Sequence, residues 1–589
     1  MALTKKYNNY SREELINELE SLKRKKYGLV WDKKNSQENL DVFVNWENMP
    51  EKFVPKQFPV LKEITDKEIK TESDKPTNIL IEGDNYHSLA VLNFTHQKKI
   101  DVIYIDPPYN TGNQDFIYND KFIDKEDPFR HSKWLSFMEK RLRLSFKLLK
   151  NTGVIFISID DNEQAQLKLL CDEIFGEDNF IANISRRTKS AGKTTETIAS
   201  NHDYVVIYSK DRQKVKFSSI FIDDSAYKHK DEYYSERGPY ALSQTLDYDS
   251  LSYSDSLDYE LKLNNQLHYP GGDKKVFLER KGGKHRASDW TWRWGKELVE
   301  FGNKQGFVVV KKGKNGKPRI YTKTYFKVVI EKVNGKYTIV PIVRTKNLST
   351  LDLMESSYSN DVSKKDIRSI FGNYAEFAYP KPLSLLKYLI NTIPNQNNSI
   401  ILDFFTGSGT TGQAVLELNK EDKGNRKFIL CTNNENNICT DVCYPRIEKV
   451  INGYKNSKGE KVAGLGGSLK YFKTDFVGSD STDKNKRGLV NKSAEMICIK
   501  EDIFDLVVDN GQDFKIFQKG KKFLGVIYNL DAITDFKKEA EKFKGNFVIY
   551  CFSYTETTPE KEFKGLKNKY ILKPIPAVIL RIYLEIFKK

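Results

Sequence analysis

Short apolar runs and segments of helical period alternate from residue 78 to residue 178. Residues 78–81 predict a strand ending at Gly83-Asp84-Asn85, and 87–94 a helix. Residues 101–105 (DVIYI) are a buried-type strand that stops at Asp106-Pro107-Pro108-Tyr109. Residues 134–149 repeat their apolar positions every three to four places, the spacing of one helical face. Residues 153–159 (GVIFISI) predict another strand and 161–175 another helix, with Asp160 or Asp161 as its cap. Strands and helices alternating at these lengths argue for a parallel sheet and the α/β class. The rhythm returns after Pro380: a helix at 384–391, a strand at 399–405 (SIILDFF), a helix at 410–418 and a strand at 427–432 (KFILCT).

The stretches outside this rhythm divide the chain. Ser11 and Glu14 fit a capping box before Leu15, Ile16, Leu19 and Leu22, and a basic run at 23–26 suits that helix's end. Residues 33–76 are polar with scattered prolines and predict an arm. The predicted organisation is an N-terminal helix and arm (1–76), a first part of an α/β core (77–185), an insertion (186–374), a second part of the core (375–454) and a C-terminal α+β region (455–589). The insertion is rich in Lys, Tyr, Ser and Gly, with β-like stretches at 306–310 and 325–330, and reads as mostly β or irregular. Its Trp290, Trp292 and Trp294 alternate, which puts them on one face of a strand. They predict that region's core; a base-stacking platform is the other reading.

Length and composition fit this division. At about 150 residues per domain, 589 residues mean more than one domain. With 39% hydrophobic and 30% charged residues, bulk disorder and a long coiled coil are excluded. No stretch approaches the roughly 18 apolar residues of a membrane span, and the first residues lack a secretory apolar core. Six cysteines without a CxxC pair make no disulfide framework. The expectation is a soluble, cytoplasmic protein with no membrane contact. Charge adds a hint of a partner: residues 271–350 hold 20 Lys/Arg against 6 Asp/Glu, a net +14 beside +16 for the whole chain. Such a segment can displace counterions from a polyphosphate backbone, and it can equally be a solvated lysine-rich face.

Two motifs carry chemistry. In the first, Asp403-Phe404-Phe405-Thr406-Gly407-Ser408-Gly409-Thr410, a strand runs into a Gly-x-Gly turn and a helix. The glycines let backbone approach a ligand, and the helix start offers free N–H groups. No Lys follows the second glycine, so it is not a P-loop. The second is Asp106-Pro107-Pro108-Tyr109. Its two prolines remove two N–H donors, leaving the Asp106 carboxylate and the Pro107 carbonyl as an acceptor-only rim. That rim suits an exocyclic NH2 group, and Tyr109 offers a flat face to a base drawn out of a duplex. Cys439 and Cys443 sit four apart without a His pair and read as buried thiols; no metal site is expected.

Together the motifs resemble the S-adenosylmethionine-dependent N6-adenine DNA methyltransferases. The amine tetrad precedes the cofactor motif, with the basic insertion between them, which is the permuted β-class order. The segments 26–31 (KYGLVW), 106–112 (DPPYNTG), 377–382 (FAYPKP), 403–418, 427–453, 466–477 and 573–576 (KPIP) resemble Mod subunits of type III restriction-modification systems. The resemblance covers most of the chain outside residues 190–370. It implies a Rossmann-like methyltransferase fold, with the insertion as target recognition domain and the C-terminal region as the dimer and partner contact. It implies that Asp106, Pro107, Pro108 and Tyr109 act on the adenine. Asp84, Asn85, Lys381, Asp403, Phe405, Gly407, Gly409 and Thr410 would line the S-adenosylmethionine site, Lys381 as part of Tyr379-Pro380-Lys381. Related enzymes end the second strand with an acid that binds the ribose; Thr432 stands there, and Glu435 is the alternative. The implied partners are double-stranded DNA, a second copy of the chain in a homodimer, and a helicase-nuclease (Res) subunit. A solitary methyltransferase without a nuclease would carry the same motifs. A specificity protein that has lost catalysis is the non-enzymatic alternative.

Overall fold

The computed structural model describes residues 11–12, 31, 57–71, 75–112, 117–118, 121–189, 197–221, 224–312, 318–372, 380–394, 396–479, 482–553 and 557–587. The expected helix over 11–22 falls almost wholly outside the described residues, as does Tyr379. The chain separates into two compact units, one of Met1–Ser218 with Ser349–Lys589 and one of Ser219–Leu348.

The larger unit is built on one mixed sheet. Its strands are β1 (Gln57–Glu63), β2 (Thr77–Glu82), β3 (Ile100–Ile105), β4 (Leu149–Ile159), β5 (Phe180–Arg187), β6 (His202–Ser209), β7 (Ile400–Asp403), β8 (Lys427–Thr432) and β9 (Ser468–Gly478). They lie in the order β1-β9-β2-β8-β7-β3-β4-β6-β5, with the short Ile69–Lys70 strand also on β9. From β9 to β4 neighbouring strands run parallel. β1, β6 and β5 pair antiparallel at the two ends. β3 and β4 read as continuous apolar runs because helices cover both faces of the parallel centre. One layer has α1 (Asn85–His96), α2 (Arg130–Leu148) and α3 (Gln164–Phe175) in a core with Leu89, Trp134, Leu142 and Leu167. The other has α4 (Leu383–Asn391), α5 (Thr410–Asp422) and α6 (Tyr444–Asn452) around Leu386, Val415 and Ile447. This is the expected Rossmann-like α/β architecture. Among the described residues, no helix is long and apolar enough to cross a membrane.

Four boundaries differ from the sequence reading, one of them the insertion's end, since residues 349–372 belong to the larger unit and bury Leu353 and Ile370 in its core. Residues 57–63 are not part of an arm: Phe58, Val60 and Leu61 are buried where β1 pairs with β9. Their apolar signal is broken by Pro59, which an edge strand tolerates. The hairpin β5–β6 belongs to the main sheet although it straddles residue 186, because Val205, Val206 and Ile207 are buried against β4. The region after 455 is not separate either. β9 fills the centre of the β1 side of the sheet, and Met496, Ile497, Ile579 and Tyr583 complete the α1 core. A five-stranded sheet, Asp505–Asn510 to Tyr570–Ile575, follows in the same unit.

The unit Ser219–Leu348 is made of short antiparallel pairs. Tyr240–Thr245, Pro318–Tyr325 and Val308–Lys312 form one sheet, and Asp247–Ser250 pairs with Asp289–Trp292. Trp292 is core, fully enclosed with Leu246, Val299 and Ile320, and its Nε1 donates to the Tyr259 carbonyl at 2.7 Å. Trp290 and Trp294 are half-buried; Trp294 lies past the strand's end and packs on that core. The buried Arg280 is held by both oxygens of Asp258 at 3.0 Å.

Candidate active site

Because β2, β8, β7 and β3 are parallel, their carboxyl ends open on one edge of the sheet. Four turns meet there: 83–85, 406–409, 433–435 and 106–110. Ligands of open α/β sheets bind at such an edge. The turns are hydrogen-bonded to one another. Gly83 N–H donates to the Thr432 carbonyl at 2.9 Å and Thr406 N–H to the Cys431 carbonyl at 3.3 Å. Asn85 Nδ2 donates to the Phe404 carbonyl at 2.8 Å.

Asp84 caps α1, accepting from Tyr86 N–H at 2.7 Å. Arg141, fully buried on α2, donates to Asp84 Oδ2 at 3.1 Å and to Asn85 Oδ1 at 2.5 Å. Desolvation raises the Asp84 carboxyl, but Arg141, His87 and the Tyr86 amide outweigh it and hold the group below its ordinary value.

In the Gly-x-Gly turn, Gly407 (φ +52°) and Gly409 (φ +81°) are left-handed, where glycine costs least. A Cβ on Gly409 would stand 3.2 Å from Cys443 Sγ. α5 starts at Thr410 without a side-chain cap, which leaves its first turn of N–H groups to a ligand. Arg446 of α6 supports the turn from within, donating to Thr410 Oγ1 at 2.8 Å and Ser408 Oγ at 3.1 Å. Asp403 is a staple of this turn: it accepts from Thr411 Oγ1 at 2.5 Å and Phe405 N–H at 3.0 Å, and burial pushes its pKa up to about 7. Phe405 is half-buried beside Phe137, their ring centroids 5.9 Å apart.

The Asp106–Tyr109 tetrad leaves β3 directly. Trp134 Nε1 donates to the Pro108 carbonyl at 2.8 Å. Among the described residues no donor reaches the Pro107 carbonyl, which remains an acceptor. Lys381 Nζ stands 2.7 Å from Asp106 Oδ1 and donates to Tyr109 OH at 2.9 Å. Tyr109 OH in turn donates to Asp203 Oδ2 at 3.3 Å, and Asp203 is held by Nε and Nη2 of the buried Arg186. Burial, then the Asp106 and Asp203 charges, push the Tyr109 phenol well above its ordinary value, so it stays protonated. Behind the tetrad, Asn110 turns the chain at φ +57°. Its Nδ2 donates to Glu163 Oε1 at 2.5 Å, and His131 Nδ1 lies 2.6 Å from the same oxygen.

These contacts bring Asp84, Asn85, Asp403, Phe405, Gly407, Gly409, Thr410 and the tetrad to one edge. Lys381, expected on the cofactor side, touches the tetrad. Thr432 is buried and donates to the Asn433 carbonyl at 3.1 Å, while Glu435 is exposed beyond the turn. Asp160 is not the helix cap: it accepts from Asn162 N–H at 2.9 Å in a turn, and the cap position is Glu163. Cys439 and Cys443 are free, buried thiols. Sequence reasoning missed Arg141, Arg186, Asp203, Glu163 and Arg446. For Arg141 and Arg446 the signal was present, since each falls in the apolar stripe of its helix.

A family model described as DNA methylase, of the N6 and N4 type, matches residues 100–443. The chain belongs to this DNA methylase family. Over 413 residues the chain is 32% identical to the Mod subunit of the type III restriction-modification enzyme StyLTI of Salmonella typhimurium, covering 64% of this chain and 56% of that one. The EcoPI Mod subunit of Escherichia phage P1 is 31% identical over 406 residues, 62% of this chain and 58% of its own. The type II methyltransferase M.KpnI of Klebsiella pneumoniae is 32% identical over 419 residues, 69% of this chain and 92% of its own. The match thus spans little more than half of either Mod subunit.

Proposed function

We propose that the chain is a sequence-specific DNA adenine-N6 methyltransferase using S-adenosylmethionine, and the modification and specificity subunit of a type III restriction-modification system. The observation that carries this reading is the ordered edge of the sheet, where a Pro-rich acceptor rim with a tyrosine stands beside a left-handed Gly-x-Gly turn in a member of the DNA methylase family. The residues fit the cofactor: Gly407 and Gly409 keep Cβ atoms off the turn, α5 begins uncapped, and the Asp84–Asn85 turn is tied to Phe404 beside it. S-adenosylmethionine bound there supplies a methyl group already activated on a sulfonium.

The chain's own residues do the rest. Tyr109 stacks on the flipped adenine. Asp106 and the Pro107 carbonyl accept the two hydrogens of its N6 amine, which draws the nitrogen lone pair out of the ring. Asp106 is also the nearest acceptor for the proton the amine must shed. Lys381 holds the carboxylate until the amine arrives. Much of the rate then comes from holding the amine in line, a contribution worth about 7–11 kcal/mol when well oriented.

The partners follow from the same reading: double-stranded DNA as substrate, a second copy of the chain, and a helicase-nuclease subunit. The reading is tested with radiolabelled S-adenosylmethionine and unmethylated DNA. The parent transfers label to DNA, and Asp106→Ala loses transfer while still binding DNA. Full transfer by Asp106→Ala would contradict the assignment.

A further inference from the structure

We propose that the cleft at the open ends of β5 and β6 takes a backbone phosphate of the DNA strand that carries the target base. The proposal rests on the reading of the chain as a DNA methyltransferase. The cleft has a volume of about 260 Å³ and is lined by Arg187, Lys189, Ala199, Asn201, His202 and Met354. Among the described residues, three basic side chains line this opening and no carboxylate does.

Two adjacent arginines make the contrast. Arg186 is buried and neutralised by Asp203, and its other arm donates to the Tyr358 carbonyl at 2.8 Å, so it serves the fold. Arg187 pairs in register with His202, and successive strand residues face opposite ways. Among the described residues, neither Arg187 nor Lys189 has a carboxylate within ion-pair distance. The guanidinium fork matches two phosphate oxygens, and the ammonium adds a point charge. The Asn201 side-chain oxygen is buried without a partner.

The cleft is also in the right place. The start of β6 pairs with the carboxyl end of β4, Tyr204 with Ile159, so the cleft lies on the sheet edge that carries the tetrad, although His202 and Asp203, the acceptor for Tyr109 OH, face opposite ways. A strand whose base is stacked on Tyr109 runs along this edge, and in this proposal one of its backbone phosphates sits in the opening. Phosphate contacts fix position and carry no sequence information. These residues therefore set the affinity and registration of the target strand, and leave the choice of site to other residues.

The test compares the full chain with its Arg187→Ala/Lys189→Ala double variant. Binding of a fluorescent 40-base-pair duplex is titrated between 50 and 200 mM salt, with S-adenosylmethionine binding measured alongside. The double variant is expected to bind DNA about ten- to a hundredfold more weakly near 100 mM salt. Its slope of log K on log salt falls by about 1 per residue removed, the signature of lost phosphate contacts, and cofactor affinity stays within twofold. A double variant with the parent's slope and affinity overturns the cleft while leaving methyl transfer by the parent, and so the wider reading, untouched. If cofactor binding also falls, Arg187→Gln/Lys189→Gln is used, with the same two outcomes. A parent that transfers no methyl group to DNA overturns the wider reading and the cleft with it.

Discussion

Replacing Glu163 by Gln isolates the buried carboxyl that holds the tetrad's trailing Asn110. Glu163 is fully enclosed, and its Oε1 receives both Asn110 Nδ2 at 2.5 Å and His131 Nδ1 at 2.6 Å. His131 supplies no countercharge at pH 7, because burial and then Arg130 push its pKa below the ordinary value. Burial dominates at Glu163: it outweighs the Asn110 hydrogen bond and the Arg130 charge, Asp160 adds to it, and the pKa rises from 4.5 to about 8. The folded chain thus keeps a proton that the unfolded chain releases above about pH 4.5. Stability is full below that pH, falls as pH rises through the interval, and levels off above about 8. At about 1.4 kcal/mol per pH unit the whole interval is worth roughly 4–5 kcal/mol. Glu163→Gln removes the titration and keeps an acceptor oxygen. Asp403, pushed up to about 7, titrates in both proteins and cancels in their difference. Urea unfolding followed by tryptophan fluorescence at pH 5, 6, 7, 8 and 9 reads this difference. The variant should gain on the parent steadily from pH 5 to pH 8, by at least about 2 kcal/mol. A difference that is flat, or that grows in the parent's favour with pH, would refute the reasoning.

Three further substitutions probe the site. Arg141→Ala removes the buried partner of Asp84 and Asn85. It should cost about 3 kcal/mol, the low end for a broken buried pair because Asp84 keeps 41% of its side chain exposed, and should raise KM for S-adenosylmethionine; urea midpoints and initial rates measure both. Tyr109→Phe keeps the ring and loses its contacts to Lys381 and Asp203, so kcat should fall less than tenfold, whereas Tyr109→Ala should lose about 1–3 kcal/mol of stacking and far more activity. Trp134→Phe should lower stability by about 1 kcal/mol through the lost bond to Pro108, with a several-fold drop in kcat at unchanged DNA affinity.

The central strands were legible because β3 and β4 are continuous apolar runs, and because Asp106-Pro107-Pro108 and Gly407-x-Gly409 mark where β3 and β7 stop. β1 was not, because Pro59 interrupts its apolar residues and its partner β9 lies some 400 residues along the chain. β9 itself mixes buried Tyr471 and Phe472 with Lys470 and Lys473, a pattern that makes sense only once the strands on either side are known. The tetrad and the glycine turn could be read directly. What holds them was legible only in part: Arg141 and Arg446 fall in the apolar stripes of their helices, whereas Arg186, charged in composition, is buried by partners distant in sequence. Lys381 was found as part of a wall, but its contacts with Asp106 and Tyr109 were not, a matter of side-chain reach that spacing does not encode.

The most direct measurement of the central claim is single-molecule sequencing of DNA from a methylation-free host expressing this chain alone, beside its Asp106→Ala variant. The account predicts N6-methyladenine on one strand of a short asymmetric motif with the parent, and none with the variant. A methyl group on cytosine N4, or an adenine mark that survives Asp106→Ala, would contradict it.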